Sequence, residues 1–204
     1  MNPSHSEVFF AHSAAGMDHA RWQPLDEHLL AVGHLAGDFA RTFGAQELAV
    51  VLGLLHDLGK YTLAFQARLN GDPRKVDHST WGAKIAVQKF GPALGSLLAY
   101  AIAGHHAGLA NGQGEGERTP LEERLASDLP KLHAAWEKAI TLPDRLGPPA
   151  SFKLYDSQDR LHAKGRHPFQ LAFLVRMLFS CLVDADFLDT ERFYNKLESR
   201  PDHR

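Results

Sequence analysis

The sequence predicts an all-α fold, a single-domain helical bundle, on three observations. Apolar residues recur at helical spacing, no convincing run of alternating strand residues occurs, and glycine, proline and polar clusters punctuate the periodic segments. The length, 204 residues, suits one domain spanning 1–204 with a sizeable core; 44% hydrophobic and 23% charged residues is ordinary for a globular chain.

A first helix is expected from Pro24, a favourable early-turn residue, with Asp26 and Glu27 near the positive end of the helix dipole. Leu25, Leu29, Val32, Ala36, Phe39 and Phe43 form its core stripe, and Gly44 ends it. The second runs from about Gln46 to Leu58 and stops at Gly59. A short helix follows from Leu63 to Leu69, and Gly71-Asp72-Pro73 breaks the chain. Asp77 or Ser79 then caps a helix to about Phe90, and an apolar helix covers Ala93 to His105. The segment 108–117 reads as a loop. Thr119-Pro120-Leu121-Glu122 resembles a capping box and predicts a helix towards Ile140. Residues 143–168 read as irregular, followed by a long helix from Phe169 to Leu188 and a shorter one from Thr190 to Leu197.

Composition narrows the function. A single cysteine, Cys181, excludes a disulfide framework and suits a reducing cytoplasm. The N-terminal residues lack the basic and apolar regions of a signal peptide. No stretch reads as an uninterrupted membrane span: the most apolar, Leu171 to Leu188, contains Arg176, Asp184 and Asp186. A net charge of −2 gives no overall basicity from which to argue nucleic-acid binding. No GxxxxGK[ST] phosphate loop is present, so the chain is expected to be a stand-alone subunit or the N-terminal part of a longer protein with a motor elsewhere.

His56-Asp57 is the only His-Asp step among 13 histidines, and it ends the apolar run from Leu48 to Leu55. Burying an imidazole and a carboxylate there is unfavourable unless something compensates both, and a divalent cation does so. Four further elements share that chemistry. His28 falls within the core stripe of the first helix, whereas His34 falls on another face. His78 stands at a helix start, and His105-His106 end the apolar run from Leu97. Asp184 and Asp186 interrupt the late apolar helix. Five histidines and two or three carboxylates at the ends of apolar helices suit a two-metal centre with a bridging carboxylate. Such imidazole-rich sites favour manganese, iron, cobalt, nickel or zinc over magnesium.

The pattern resembles the HD phosphohydrolase superfamily and, more closely, the HD nuclease domain of the type I CRISPR helicase-nuclease. The motifs are Phe10-Ala11-His12-Ser13, Trp22 to Leu29, His56-Asp57-Leu58-Gly59-Lys60, Asp77-His78-Ser79, Gly104-His105-His106-Ala107-Gly108-Leu109 and Leu182 to Glu191. The resemblance implies a bundle of the HD-domain type binding two divalent transition-metal ions, manganese, iron, nickel or cobalt ahead of magnesium. It implies that His28, His56 and a late Asp hold one ion, that His78, His105 and His106 hold the other, and that Asp57 bridges them. Ala185-Asp186-Phe187-Leu188 fits the family's Ala-Asp-x-Leu pattern and favours Asp186, with Asp184 as the rival. Asp57, His56 and Lys60 are the expected catalytic residues, Lys60 lying near the scissile phosphate.

By the same resemblance the substrate is single-stranded DNA, cut internally and then degraded directionally. The implied partners are a CRISPR helicase subunit or domain and the type I surveillance complex, in the cytoplasm and away from membranes. Hydrolysis of nucleotides or cyclic nucleotides is the alternative. Single-strand grooves combine cations with stacking rings. Candidate contributors are Arg118, Arg124, Lys153, Arg160, Lys164 and Arg166 with Trp81, Phe152 and Tyr155.

Overall fold

A computed structural model describes residues 8–14, 16, 18–114, 118–149 and 160–200, with residues 160–167 as helix backbone only. The helices are α1 Leu25–Ala40, α2 Gln46–Leu55, α3 Leu63–Leu69, α4 Thr80–Phe90, α5 Ser96–Gly104, α6 Leu121–Ala126, α7 Trp136–Ala139 and α8 Arg160–Glu198. Helices α1, α2, α5 and α8 enclose the core, and α4 packs against α5. Leu25, Leu29, Val32, Leu52, Leu55, Leu98, Ile102, Leu178 and Leu182 are all buried at its centre. The fold is therefore the expected all-α bundle, with one addition. Phe10–His12 (β1) and Gln23–Pro24 (β2) form a small antiparallel pair that lays the N-terminal segment against the start of α1.

Small residues set the distance between α1 and α2. A Cβ on Gly53 would stand 2.4 Å from the Gly33 nitrogen and 2.5 Å from its Cα. This close approach brings His28 and His56, borne by the two helices, to the same end of the core. Gly53→Val should separate the helices and cost about 3 kcal/mol, as over-packing does. A thermal melt should then show a fall of roughly 6–12 °C for a chain of this size.

Several boundaries differ from the sequence expectation. Helix α2 ends at Leu55, and Leu58–Tyr61 forms a 3-10 turn after Asp57. Phe39, expected in the core stripe, lies at its edge and is exposed. The helix opened at residue 121 stops at Ala126 instead of running to Ile140. Pro130 lacks an amide hydrogen and disfavours a helical residue before it. The chain instead runs alongside residues 61–62, through a Thr62–Leu132 bridge and a hydrogen bond from the His133 amide to the Tyr61 carbonyl. Helix α8 is continuous from 160 to 198, so Pro168 lies inside it and no break follows Leu188. Asp189 and Thr190, at the expected join between two helices, lie inside this one and engage His28 and His12.

The stretch Thr80–Gly104 is long and apolar enough by composition to cross a membrane, unlike the Leu171–Leu188 stretch that the sequence marks as most apolar. In the fold its α5 part supplies Leu98, Ala99, Ala101, Ile102 and Ala103 to the core.

Candidate metal centre

Asp57 occupies the join between α2 and the 3-10 turn, where the chain leaves helical geometry (φ −110°). The turn places His56, Asp57 and Lys60 on the core side, all buried. Gly59 donates its amide hydrogen to the His78 carbonyl at 2.9 Å, and a Cβ there would meet that oxygen at 2.4 Å. Glycine thus lets the segment carrying His78 lie directly against the turn. Asp77, by accepting from the Ser79 and Thr80 amides, caps α4 and orients His78.

Two sets of ligand atoms converge, each within 4.8 Å of one another: His28, His56, Asp57 and Asp186, and Asp57, His78, His105 and His106. Asp57 belongs to both. Its Oδ2 lies 3.6 Å from His28 Nε2 and 3.4 Å from His56 Nε2. Its Oδ1 lies 3.5 Å from His78 Nε2, 3.3 Å from His105 Nε2 and 4.0 Å from His106 Nε2. Asp186 Oδ1 closes the first set at 3.4 Å from His28 Nε2 and 3.6 Å from His56 Nε2. Asp184, the rival, is exposed on another face of α8 and belongs to neither set.

The imidazoles are aimed by their outer nitrogens. Nδ1–H of His56 donates to the Gly53 carbonyl at 2.8 Å, and Nδ1–H of His105 donates to that of Ile102 at 2.7 Å. His28 Nδ1–H donates to Asp189 Oδ2 at 2.7 Å, an oxygen that also accepts from Gln23 Nε2. The inner atoms are left without hydrogen-bond partners: His28 Nε2, His56 Nε2, His105 Nε2 and Asp57 Oδ1 are buried and orphaned. Such groups are costly to bury unsatisfied. Two ligands on one ion at ~2.1 Å each stand ~3.0–3.4 Å apart, close to the separations here. His78 Nε2 and His106 Nε2 are 2.7 Å apart, so a proton or a cation must lie between their lone pairs. The donor set therefore fits divalent metal binding around one shared carboxylate, with outer partners of the kind that orient metal-bound imidazoles.

Electrostatics accord with that fit. Burial opposes ionising Asp57, yet Lys60, His56 and the neighbouring imidazoles hold its carboxyl well below the usual range. Burial likewise opposes charging His28, but the surrounding carboxylates of Asp186, Asp189 and Asp57 raise it to about 10. Burial, with the neighbouring imidazoles of His105 and His78, pushes His106 down to about 4. The folded pKa of His28 exceeds its ordinary 6.5, so its contribution is full below pH 6.5 and lost as pH rises through about 10. The metal-free protein should lose melting temperature over that window, and His28→Gln should flatten the slope. A parent slope no steeper than the variant's would refute this.

Lys60 is placed differently from the expectation of a cation facing substrate. Its Nζ lies 2.6 Å from Asp57 Oδ2 and donates to the Ala11 carbonyl at 3.1 Å, nearly buried. It positions Asp57. Arg124, a candidate strand contact, is turned inward: its guanidinium donates to Asp77, Ser79, Thr80 and the Ala103 carbonyl. Trp81 donates its indole N–H to the Pro130 carbonyl at 2.8 Å, with Lys84 over its ring. Arg118 stays exposed. Phe152, Lys153 and Tyr155, and the side chains of Arg160, Lys164 and Arg166, lie outside the described residues.

Two residues that stand within the quoted motifs, but to which the sequence assigns no role, join the centre. Asp189 was legible only as a polar residue between two helices. His12, within Phe10-Ala11-His12-Ser13, packs edge-on to His28 with ring centres 5.0 Å apart and hydrogen-bonds Thr190 through Nε2 at 3.2 Å. Burial, with the charges of Lys60 and His28, lowers His12 to about 3 and keeps it neutral.

A family model described as HD domain matches residues 25–135. No curated protein matches the chain.

Proposed function

The chain belongs to the HD domain family, and from that premise we propose that this metal-dependent phosphohydrolase cleaves the phosphodiesters of single-stranded DNA. The observation that carries the proposal is one buried carboxylate, Asp57, shared by two sets of ligand atoms. Bound divalent ions would offset the charge of a phosphodiester and lower the pKa of water. The protein's part is to hold them. Lys60 fixes one oxygen of Asp57, while backbone carbonyls and Asp189 fix the tautomers of His56, His105 and His28. His106 is 53% exposed and Asp186 18%, so substrate would approach from their side while His28 and His56 remain sealed.

Single-stranded DNA is preferred to a nucleotide because the double histidine, His105-His106, and the flanking motifs resemble the CRISPR-associated nuclease domain. On that reading the protein works in the cytoplasm with a CRISPR helicase subunit or domain and a type I surveillance complex. The metal-loaded protein should linearise and then degrade circular single-stranded DNA. Nucleotide or cyclic-nucleotide turnover without DNA cleavage would replace this reading with the nucleotidase alternative.

A further inference from the structure

A cleft of 560 Å³ lies beside the metal centre, between the segment 20–24 that leads into α1 and the last turns of α8. Arg21, Trp22, Arg192, Phe193 and Lys196 line it, together with Asp189. Asp189, Phe193 and Lys196 follow Asp186 at three, seven and ten residues, so one stripe of α8 carries both the metal-centre carboxylate and the cleft wall. Arg192 stands six residues beyond Asp186, about 9 Å along the helix axis.

None of the three cations has an ion-pair partner among the described residues, although the other acid on the lining, Glu27, is exposed. Asp189 is already engaged by His28 and Gln23. Unpaired cations interleaved with an indole and a phenyl ring are the combination that takes an anion carrying a planar ring. We propose that this cleft binds a nucleoside phosphate, with the phosphate on Arg21, Arg192 and Lys196 and the base against Trp22 or Phe193. The source is either a free nucleotide or one unit of a strand. A strand leaving the centre would reach the cleft within two or three nucleotides at about 3.4 Å each. Only that second source rests on the reading of the centre as a phosphodiesterase.

The test titrates the metal-loaded full chain with a short, hydrolysis-resistant phosphorothioate oligothymidylate and, separately, with thymidine monophosphate, following tryptophan emission. Quenching is expected, and Trp22→Phe should remove most of it. The double variant Arg192→Glu/Lys196→Glu, both exposed residues, should raise the Kd roughly tenfold or more by reversing two phosphate contacts. Its turnover of bis(p-nitrophenyl) phosphate, too small to span both sites, should match the parent. Equal affinity for the monophosphate and the oligomer assigns the cleft to a free nucleotide; tighter oligomer binding assigns it to a strand. A Kd unchanged in the double variant, or quenching that survives Trp22→Phe, overturns the proposal. Binding that follows the cleft variants while the parent hydrolyses no phosphodiester leaves this site standing and removes the phosphodiesterase reading alone.

Discussion

Asp57→Ala should abolish binding of both ions and lower phosphodiester hydrolysis by roughly a thousandfold, the equivalent of about 4 kcal/mol of transition-state stabilisation. The expectation follows from the two faces of the carboxylate: Oδ2 towards His28 and His56, Oδ1 towards His78, His105 and His106. Removal of any one histidine leaves the opposite set intact, whereas removal of Asp57 takes a ligand from each. The substitution also strands the ammonium of Lys60, which is 5% exposed and has Asp57 as its ion-pair partner. Breaking a buried pair costs about 3–5 kcal/mol, so loss of activity alone would be ambiguous. The paired variant Asp57→Ala/Lys60→Met removes the stranded charge and should recover most of the melting temperature without recovering activity. Elemental analysis of that variant decides the matter. Two ions per chain would show that Asp57 is not shared.

Much of this centre was legible because burial made it conspicuous. His56-Asp57 closes an apolar run, and His105-His106 closes another; in both cases a polar pair stands where the chain is about to leave the core. His28 was legible from helical phase, since it shares a stripe with Leu25 and Val32. The choice of Asp186 over Asp184 was not a matter of phase, because apolar residues surround that helix. It needed the packing of α8 against α1, which buries the Asp186 side beside His28 and leaves Asp184 outside. Asp189 falls between the two expected helices for a related reason. Asp-Thr-Glu after an apolar run is a strong local signal for a new helix. The carboxylate finds its partner instead in His28, 161 residues away in sequence. Local propensity places caps well when the polar group has no tertiary partner, and misplaces them when it has one. The over-long helix after Thr119 fails by the same logic: its opening is local, but its end is fixed by Pro130 and by the bridge from Leu132 to Thr62.

Arg124 offers the clearest separation of the two halves of the centre. Its guanidinium joins α6 to Asp77, Ser79 and Thr80 at the start of α4 and to the Ala103 carbonyl near the end of α5. Those contacts flank His78 on one side and His105-His106 on the other, whereas His28 and Asp186 belong to α1 and α8 and His56 caps the end of α2. Hydrogen bonds from a charged group contribute about 1.5–3 kcal/mol, and several are lost together here, so Arg124→Ala should destabilise the fold by about 3 kcal/mol. More telling is the metal content. The variant should fall from two ions per chain towards one, since the His78–His105–His106 set loses its frame while the other set keeps its helices. Arg124→Lys should rescue little, because a point ammonium cannot reach acceptors on two helices as a planar guanidinium does. Burial works against ionising Asp77, but its hydrogen bonds from Thr80 and Arg124 lower its pKa overall. The stability gap between parent and variant is thus present above the ordinary carboxyl range and closes as pH falls through the folded value. A variant that keeps both ions and melts like the parent would return Arg124 to the role its sequence first suggested, a surface cation available to substrate.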